Sequence, residues 1–274
     1  MSKTIFITGA SSGIGKATAS WFAERGWNVV ATMRNPDDGA ELVAENVLVT
    51  RLDVLDEASI QAAVEAAQAR FGGIDALLNN AGYGAYGALE ATPMEVIRRQ
   101  FDVNVLGLIA TTQAVLPVMR AAKSGVIVNI SSVGGRMCYP FGTLYHGSKW
   151  AVEGLSEALH FELIPLGIRV KVVEPGGVAT DFAGRSFVFT NNESLAEYQP
   201  MVQAMMAAMQ SGDNASGQQT PDGVAEVIWE AAHDETGRLR FVSGEGAKEL
   251  LASRYSFEQD ETFLGGMRQR FGLE

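Results

Sequence analysis

The sequence predicts an α/β fold built on one doubly wound parallel sheet. Three observations predict it. Short apolar runs, suited to strands buried on both faces, alternate with longer runs of helical spacing as far as residue 180. A glycine-rich turn, Gly9-Ala-Ser-Ser-Gly-Ile-Gly15, stands at the first strand-to-helix junction. The polar motifs that follow cluster at the carboxyl ends of the predicted strands, where open α/β sheets hold their ligands.

Composition bounds the rest. The 274 residues are 47% hydrophobic, enough for one large core, and the 30 glycines suggest many tight turns. A formal net charge of −11 argues against nucleic acid or an anionic membrane as the main partner, because both select a basic surface. A single cysteine, Cys138, precludes an internal disulfide and points to a reducing compartment. With three scattered histidines and that one cysteine, no metal site is expected. The N-terminus lacks the apolar run of a signal peptide, and no window approaches the roughly 20 apolar residues of a membrane span. The expectation is a cytoplasmic protein with no membrane partner.

The elements follow in order. Thr4–Thr8 is a short buried strand, and after the glycine-rich turn Lys16–Arg25 is helical and stops at Gly26. Strand, glycine-rich turn and helix together present backbone N–H groups to a phosphate, though such a turn also simply connects a strand to a helix. Asn28–Thr32 is the second strand. It ends at Met33-Arg34 with no acid before Asp37. An acid there would bind the ribose of NAD, whereas an arginine accommodates the 2′-phosphate of NADP; the other reading of Arg34 is a solvated surface arginine. Asn46–Leu52 is a third strand that runs into Asp53-Val54. Asp56 is placed to cap the helix to Phe71, and Gly72-Gly73 stop it. Ile74–Leu78 is the fourth strand and leads into Asn79-Asn-Ala-Gly82, a tight turn beside a flat ligand or merely a turn.

From Thr92-Pro93 the chain is helical to about Lys123, with Asn104 inside as a candidate for a local break or a polar task. Val126–Ile130 is a strand, Tyr145–Leu166 one long helix, and Ile168–Val173 the next strand, ending in Glu174-Pro-Gly-Gly-Val-Ala-Thr180. Residues 181–220 break the alternation. There Ser194–Gln210 is helical, and its Met201, Met205, Met206 and Met209 form either a core stripe or part of a mobile substrate cover. Ser211–Gly217 is a polar loop, Thr220 caps a helix Pro221–His233, and Arg238–Val242 is a last strand. The tail beyond Gly246 is partly helical.

Tyr145 and Lys149 stand four residues apart and so share one helix face. An ammonium near a phenol favours the phenolate and lowers its pKa from roughly 10, which readies it for proton transfer near neutral pH. Ser132, at the end of the preceding strand, is placed to hold a carbonyl oxygen beside that phenol. His146 points about 100° away from Tyr145 on the helix, which indicates a surface or packing role. Cys138 reads as a pocket-lining or buried residue, and Asp53 could be only a turn acid.

Taken together, Thr8-Gly-Ala-Ser-Ser-Gly-Ile-Gly15, Asn79-Asn-Ala-Gly82, Ser132, Tyr145-x-x-x-Lys149 and Pro175-Gly176 resemble the short-chain dehydrogenase/reductase family, strongly over residues 3–180 and in outline to about 243. The members most resembled are NADP-preferring reductases of steroids, retinoids and other apolar carbonyls. The resemblance implies a Rossmann-like single domain over residues 1–274, with residues 181–220 as a substrate-binding lid. It implies Tyr145 as acid/base, Lys149 as the residue that tunes it and binds the nicotinamide ribose, Ser132 as the group that orients the substrate, and Asn104 as support for a proton-relay water. It places Gly9, Ser11, Ser12, Gly13, Ile14 and Gly15 around the cofactor phosphates. Asp53 and Val54 flank the adenine, Asn80, Ala81 and Gly82 border the adenosine side, and Pro175, Gly176, Val178 and Thr180 lie near the carboxamide. Met137, Tyr139 and Phe141 are candidate substrate contacts. A homodimer or homotetramer is implied through the helices around 104–122 and 147–166. Gly147 and Trp150 depart from the commoner pattern and touch the shape of the pocket.

The expected activity is reversible hydride transfer between NADP(H), with NAD(H) possible, and the carbonyl/alcohol pair of a small apolar substrate. Two other readings stand beside it: an NADP(H)-binding sensor without catalysis, and a sugar-nucleotide-modifying enzyme on the same fold. The first would lack the tyrosine or lysine. The second would carry a T-G-x-x-G-x-x-G turn and a larger substrate domain.

Overall fold

The structure is a computed structural model that describes residues 2–180, 184, 186–210, 218–256 and 260–270. Its centre is a seven-stranded, all-parallel sheet. In chain order the strands are β1 (Thr4–Thr8), β2 (Asn28–Met33), β3 (Val47–Arg51), β4 (Ala76–Asn79), β6 (Gly125–Ile130), β7 (Ile168–Pro175) and β9 (Arg240–Ser243). They lie side by side in the order β3-β2-β1-β4-β6-β7-β9. The chain leaves β1 for β2 and β3 on one side and returns to β4 on the other. The ligand crevice of such a sheet opens at that reversal, between β1 and β4.

Each strand feeds two cores because its side chains alternate. Ile5 and Ile7 of β1 join Phe22 of α1 (Gly13–Glu24) and Val224 and Ile228 of α7 (Pro221–His233) on one face. Phe6 joins Ile60 and Val64 of α2 (Glu57–Phe71) and Val115 and Met119 of α4 (Gly107–Ala122) on the other. Burying one such side chain is worth about 1.5–3 kcal/mol, so the pattern in five residues of β1 sets which face each neighbouring helix covers. The long helix α5 (Thr143–Leu163) packs on β7. A third, smaller cluster sits over the carboxyl edge of the sheet and joins Val133 and Met137 to Met205 of α6 (Gln199–Gln210) and to Ala247 and Leu251 of α8 (Glu245–Ser256). A last helix, α9, spans Asp260–Arg270.

The strands expected from the sequence are present, with ends shifted by one or two residues. Other boundaries moved for identifiable reasons. The helix expected from Lys16 begins at Gly13, so the glycine-rich turn itself supplies its first turn. The helix expected from Ser194 begins at Gln199, after a short 3₁₀ turn Ala196–Tyr198. That start places Pro200 in the first turn, where its missing N–H costs nothing. Asp56 and Thr220 cap their helices as expected, accepting from Ser59 N and Gly223 N at 3.2 Å each. The break expected at Asn104 is a π-helical turn, Asp102–Leu106, between α3 (Met94–Phe101) and α4. The loop expected at Ser211–Gly217 lies outside the described residues.

Two features correct the sequence reading. The run Met94–Ala122, 29 residues with a mean hydropathy of 1.5 over its most apolar window, is long and apolar enough to cross a membrane. Its α4 part instead lays Leu108, Val115 and Met119 against the sheet and α2. The second feature is a pair of unexpected strands, β5 (Gly84–Gly87) and β8 (Phe187–Thr190), which form a small parallel sheet with Gly84 opposite Phe187. It stands beside α5, over the crevice side of the molecule.

Candidate active site

The turn after β1 is held from behind. Asn80 Nδ2 donates to Thr8 O and Gly9 O, both at 3.0 Å, and Thr8 Oγ1 accepts from the Asn80 and Ala81 backbone N–H groups at 3.0 Å. Gly9 sits at φ +69°, where a Cβ is disfavoured, and a Cβ on Gly15 would lie 2.6 Å from Asn80 Nδ2. Asn80 therefore braces the turn with its side chain. Ser12 is the extended N-cap of α1, and its side chain makes no cap hydrogen bond. The first N–H groups of α1 thus remain available to an anion in the crevice, a set of donors that suits a pyrophosphate. Thr180 Cγ2 lies 3.4 Å from where a Cβ of Gly13 would be, so the segment after β7 closes the far side of this turn. Val178 bridges to Gln219 there, and Gly176 packs on Ala247.

Arg34 is exposed at the end of β2. Asp53 Oδ1 accepts from Leu55 N at 3.0 Å, the geometry of a turn acid, and Val54 packs against Gly107. Asn104, buried in the π turn, acts as a substitute backbone. Its Oδ1 accepts from Tyr83 N at 3.0 Å, and its Nδ2 donates to Tyr83 O at 2.8 Å and to Ser148 Oγ at 3.2 Å. A Cβ on Gly82 would lie 3.2 Å from Asn104 Oδ1. Asn104 thereby fixes the segment between β4 and β5.

Tyr145, Lys149 and Ser132 converge where β6 hands over to α5. Ser132 caps the 3₁₀ turn Val133–Gly135. Its Oγ accepts from Gly134 N at 3.0 Å and donates to Pro175 O at 3.4 Å, so it spans the ends of β6 and β7. The Lys149 ammonium lies 5.8 Å from the Tyr145 ring centre and donates to Ile130 O at 2.9 Å. Two half-buried hydroxyl residues and a buried lysine, brought together here, provide a proton donor and an oxyanion partner for a carbonyl oxygen. The electrostatics correct the sequence reading in one respect. Desolvation holds the Tyr145 phenol above its ordinary pKa, against a smaller downward pull from its hydrogen bond with Ser132. Lys149 itself is pushed down to about 8 by burial, which outweighs the field of Glu153. The spacing brings the two groups onto one face, but desolvation of the phenol sets the direction of its shift.

The surroundings of Tyr145 that were expected to contact a substrate are aromatic. Tyr139 and Phe141 are half-buried against the third cluster, while Met137 is 1% exposed inside it. Cys138, expected to be buried or to line the pocket, is exposed. Of the methionine stripe, Met205 is buried in the cluster and Met206 packs against it. The sequence reading missed Tyr86 on β5, whose ring stacks on Tyr145 at 5.5 Å and lies 5.1 Å from Phe187 on β8. A four-residue strand rich in glycine shows no usable period. The β-prone run Phe187-Val-Phe-Thr190 was the available signal. Also missed was a charged network behind Ser132. Glu174 accepts from Arg136 at 2.8 Å, and Glu153, one turn beyond Lys149, accepts from Arg240 at 2.9 Å.

Comparison with known proteins places this geometry. Residues 3–189 match the family model for short chain dehydrogenases. An uncharacterized oxidoreductase of Schizosaccharomyces pombe is 40% identical over 247 residues, 88% of this chain and 100% of that one. A 3-ketodihydrosphingosine reductase of Bacteroides thetaiotaomicron is 42% identical over 193 residues, 70% of this chain and 68% of that one. Among solved structures, a short-chain dehydrogenase from Streptomyces avermitilis superposes with a TM-score of 0.82 at 33% identity, covering 98% of both chains. An alcohol dehydrogenase from Thermococcus sibiricus complexed with 5-hydroxy-NADP gives 0.72 at 25% identity over 89% of this chain and 97% of that one. A 3-ketoacyl-(acyl-carrier-protein) reductase from Brucella melitensis complexed with NADH gives 0.74 at 27% identity over 88% and 96%.

Proposed function

The chain belongs to the short-chain dehydrogenase family, and from that premise we propose that it reversibly transfers hydride between NADP(H) and the carbonyl/alcohol pair of an apolar substrate. The observation that carries the proposal is the hydrogen-bonded Ser132–Tyr145 pair at the mouth of the crevice, with the Lys149 ammonium one helical turn along. Hydride chemistry is what the nicotinamide supplies when bound. The chain supplies place and proton. The first turn of α1, with Gly9, Ser11, Ser12, Gly13, Ile14 and Gly15, would hold the pyrophosphate. Asp53, Val54, Asn80, Ala81 and Gly82 would border the adenosine, and Pro175, Gly176, Val178 and Thr180 the nicotinamide end. Ser132 orients the substrate oxygen, Tyr145 protonates it as negative charge develops, and Lys149 holds positive charge beside the phenol. Asn104 keeps the segment between β4 and β5 in place.

The raised pKa of Tyr145 keeps its proton on through neutral pH, and a protonated phenol is the form that carbonyl reduction needs. Arg34, exposed at the end of β2 where no acid stands, supports NADP over NAD. The family accommodates both, since its solved members include complexes with NADH and with an NADP derivative. The wall Tyr86–Phe187–Phe189, stacked outward from Tyr145, supports an aromatic or extended apolar carbonyl. A 3-ketodihydrosphingosine reductase among the relatives fits that class. Residues 181–220 would cover the substrate, and exposed Leu106, Trp150, Phe161 and Ile164 on the α4 and α5 side would pair copies into a homodimer or homotetramer. Oxidation of NADPH and NADH, followed side by side against a panel of apolar ketones and aldehydes, tests the proposal. Turnover is expected with NADPH and should be nearly abolished in Tyr145→Phe while NADPH binding persists. Equal or faster rates with NADH would remove the role given to Arg34, and full turnover by Tyr145→Phe would remove the acid/base assignment.

A further inference from the structure

His146 adjoins Tyr145 on α5, and the proposed reaction leaves it without a task. The imidazole is 2% exposed, yet both ring nitrogens are engaged. Nε2 accepts from the Tyr139 backbone N–H at 3.0 Å, and Nδ1 lies 3.0 Å from Gly134 O. A backbone N–H can only donate and a carbonyl can only accept. These two partners therefore select one state of the ring, neutral with its proton on Nδ1. The partners also belong to different segments. Gly134 sits in the turn capped by Ser132, and Tyr139 in the loop 137–142 that carries the aromatic residues of the substrate side.

The ring is closely enclosed. A Cβ on Gly134 would lie 2.6 Å from Nδ1, and one on Gly142 would lie 2.5 Å from Nε2. The loop it touches holds Phe141 at φ +60°, a left-handed conformation that costs a bulky residue of order 1–3 kcal/mol unless its surroundings impose it. Phe141 O in turn accepts from Gly87 N at 2.9 Å, next to Tyr86. A strained loop thus hangs between β5 on one side and the imidazole on the other.

We propose that His146 is the positioning residue of the substrate loop: its Nδ1–H form clasps residues 137–142 to the Ser132 turn, and protonating or removing it loosens carbonyl binding while sparing the cofactor half. The inference rests on the reductase reading of the same site. A second proton on Nε2 would face the Tyr139 N–H, donor against donor, in a buried place. The titratable groups around the ring are Tyr86 from β5, at 6.1 Å, Tyr139 from the loop and Tyr145 from α5, each at 5.6 Å, with Cys138 beside Tyr139. These are neutral phenols and a thiol at neutral pH, so no anion among them offsets an imidazolium. Burial pushes the pKa of His146 below its ordinary value, against a smaller upward pull from Gly134 O. A depressed histidine keeps its clasp at neutral pH and loses it as pH falls below the ordinary histidine range.

The test compares wild type with His146→Phe, which keeps a ring but neither bond, and His146→Gln, whose amide can accept and donate but does not titrate. In His146→Phe the KM for the carbonyl should rise about tenfold, the worth of one lost buried hydrogen bond, with NADPH affinity within about twofold. His146→Gln should recover much of that loss and abolish the acid limb of kcat/KM. Two readouts need no turnover. Ring ¹⁵N chemical shifts of the cofactor-free wild type should report the Nδ1–H tautomer, and amide exchange at Tyr139 should quicken about tenfold or more in His146→Phe. An Nε2–H tautomer, or unchanged KM and unchanged Tyr139 exchange in His146→Phe, would overturn the clasp. A wild type that reduces no carbonyl would refute the reaction while the tautomer and the exchange rate still decide the clasp. Should His146→Phe fail to fold, the wild-type tautomer and the pH profile of His146→Gln decide.

Discussion

Strand β7 buries two opposite charges three residues apart, and the fold treats them differently. Lys171 is fully buried, and its ammonium uses all three of its donors: Asp234 Oδ1 at 2.8 Å, Thr236 O at 2.9 Å and Arg238 O at 2.7 Å. Glu174 is just as buried, but only Oε1 is bonded, to Arg136 at 2.8 Å, with Arg240 at 3.7 Å, while Oε2 has no partner among the described residues. Its neighbours repeat the pattern. Glu153 Oε1 and Ser131 Oγ are also buried without partners among the described residues. Lys171 ties β7 to the segment that joins α7 to β9, away from the crevice. Glu174 precedes Pro175, whose carbonyl accepts from Ser132, and Glu153 follows Lys149 by one turn. A buried charge with incomplete pairing lowers stability. This fold completes the pairing where only architecture is at stake and leaves it incomplete behind the residues proposed to react. Four substitutions can break or sharpen that contrast.

The largest effect is expected from Lys171→Met. It deprives two carbonyls and a carboxylate of their donor, and removing one member of a buried pair costs about 3–5 kcal/mol. The lower end applies here, because Asp234 keeps some access to water, its side chain being 16% exposed. Urea unfolding should show a loss of about 3 kcal/mol, with cofactor affinity per folded molecule unchanged. An unchanged midpoint would mean that the complete pairing of Lys171 contributes nothing, and the contrast would fail on its better-paired side.

Arg240→Met acts on the other end. It takes from Glu153 its 2.9 Å partner, leaving neither oxygen bonded, and from exposed Glu157 a second contact. A lost hydrogen bond to a buried charge costs about 1.5–3 kcal/mol, so about 2 kcal/mol is expected in the same unfolding experiment. Because Glu153 lies one turn from Lys149, the KM for the carbonyl or the pH profile should move as well. A stability loss with kinetics unchanged would detach this network from the site.

Much of the fold and part of the site can be read directly from the chain. Short continuous apolar runs and a glycine turn are local signals, and the sheet followed from them. The one-turn spacing of Tyr145 and Lys149 is equally local. What lay beyond reach depends on partners distant in sequence. Arg136 meets Glu174 across 38 residues and Arg240 meets Glu153 across 87, and no window contains either pair. Periodicity gave His146 a surface or packing role, but it could not show that the ring would meet Tyr145 edge-on at 5.6 Å, with Tyr139 and Gly134 bonded to its two nitrogens. The expected drop in the tyrosine pKa failed for a related reason, since helical spacing gives proximity and says nothing about desolvation. β5 and β8 are short, glycine-bearing or isolated, and each is a strand only because the other pairs with it.

The two ends of β7 should also answer pH with opposite sign. Burial, reinforced by Glu153, raises the pKa of Glu174 above the ordinary carboxylate value of 4.5, against the pull of Arg136 and Arg240. A raised carboxyl contributes stability in acid that is lost as pH rises through its folded pKa. Glu174→Gln keeps the shape without the charge. It should change stability by less than about 1 kcal/mol at neutral pH and flatten the dependence of melting temperature between mildly acid and neutral conditions. A variant with an unaltered slope would show that Glu174 titrates no differently when folded.

Asp234 gives the opposite sign, in a more acid range. Its hydrogen bond from Lys171, more than the partial burial that opposes it, holds its carboxyl down from 3.8 to about 2. Stability from this group is complete above 3.8 and drains away as pH falls toward about 2. Asp234→Asn retains an oxygen for Lys171, and the carbonyls of Thr236 and Arg238 still satisfy the ammonium, so at neutral pH the cost should stay near 1 kcal/mol, about that of one hydrogen bond. The acid-side slope should vanish in the variant, as the slope contributed by Glu174 vanishes in Glu174→Gln. If Asp234→Asn instead costs as much as Lys171→Met, the ammonium depends on its counter-charge rather than on its count of acceptors. Completeness of hydrogen bonding would then not be what separates the two buried charges of β7.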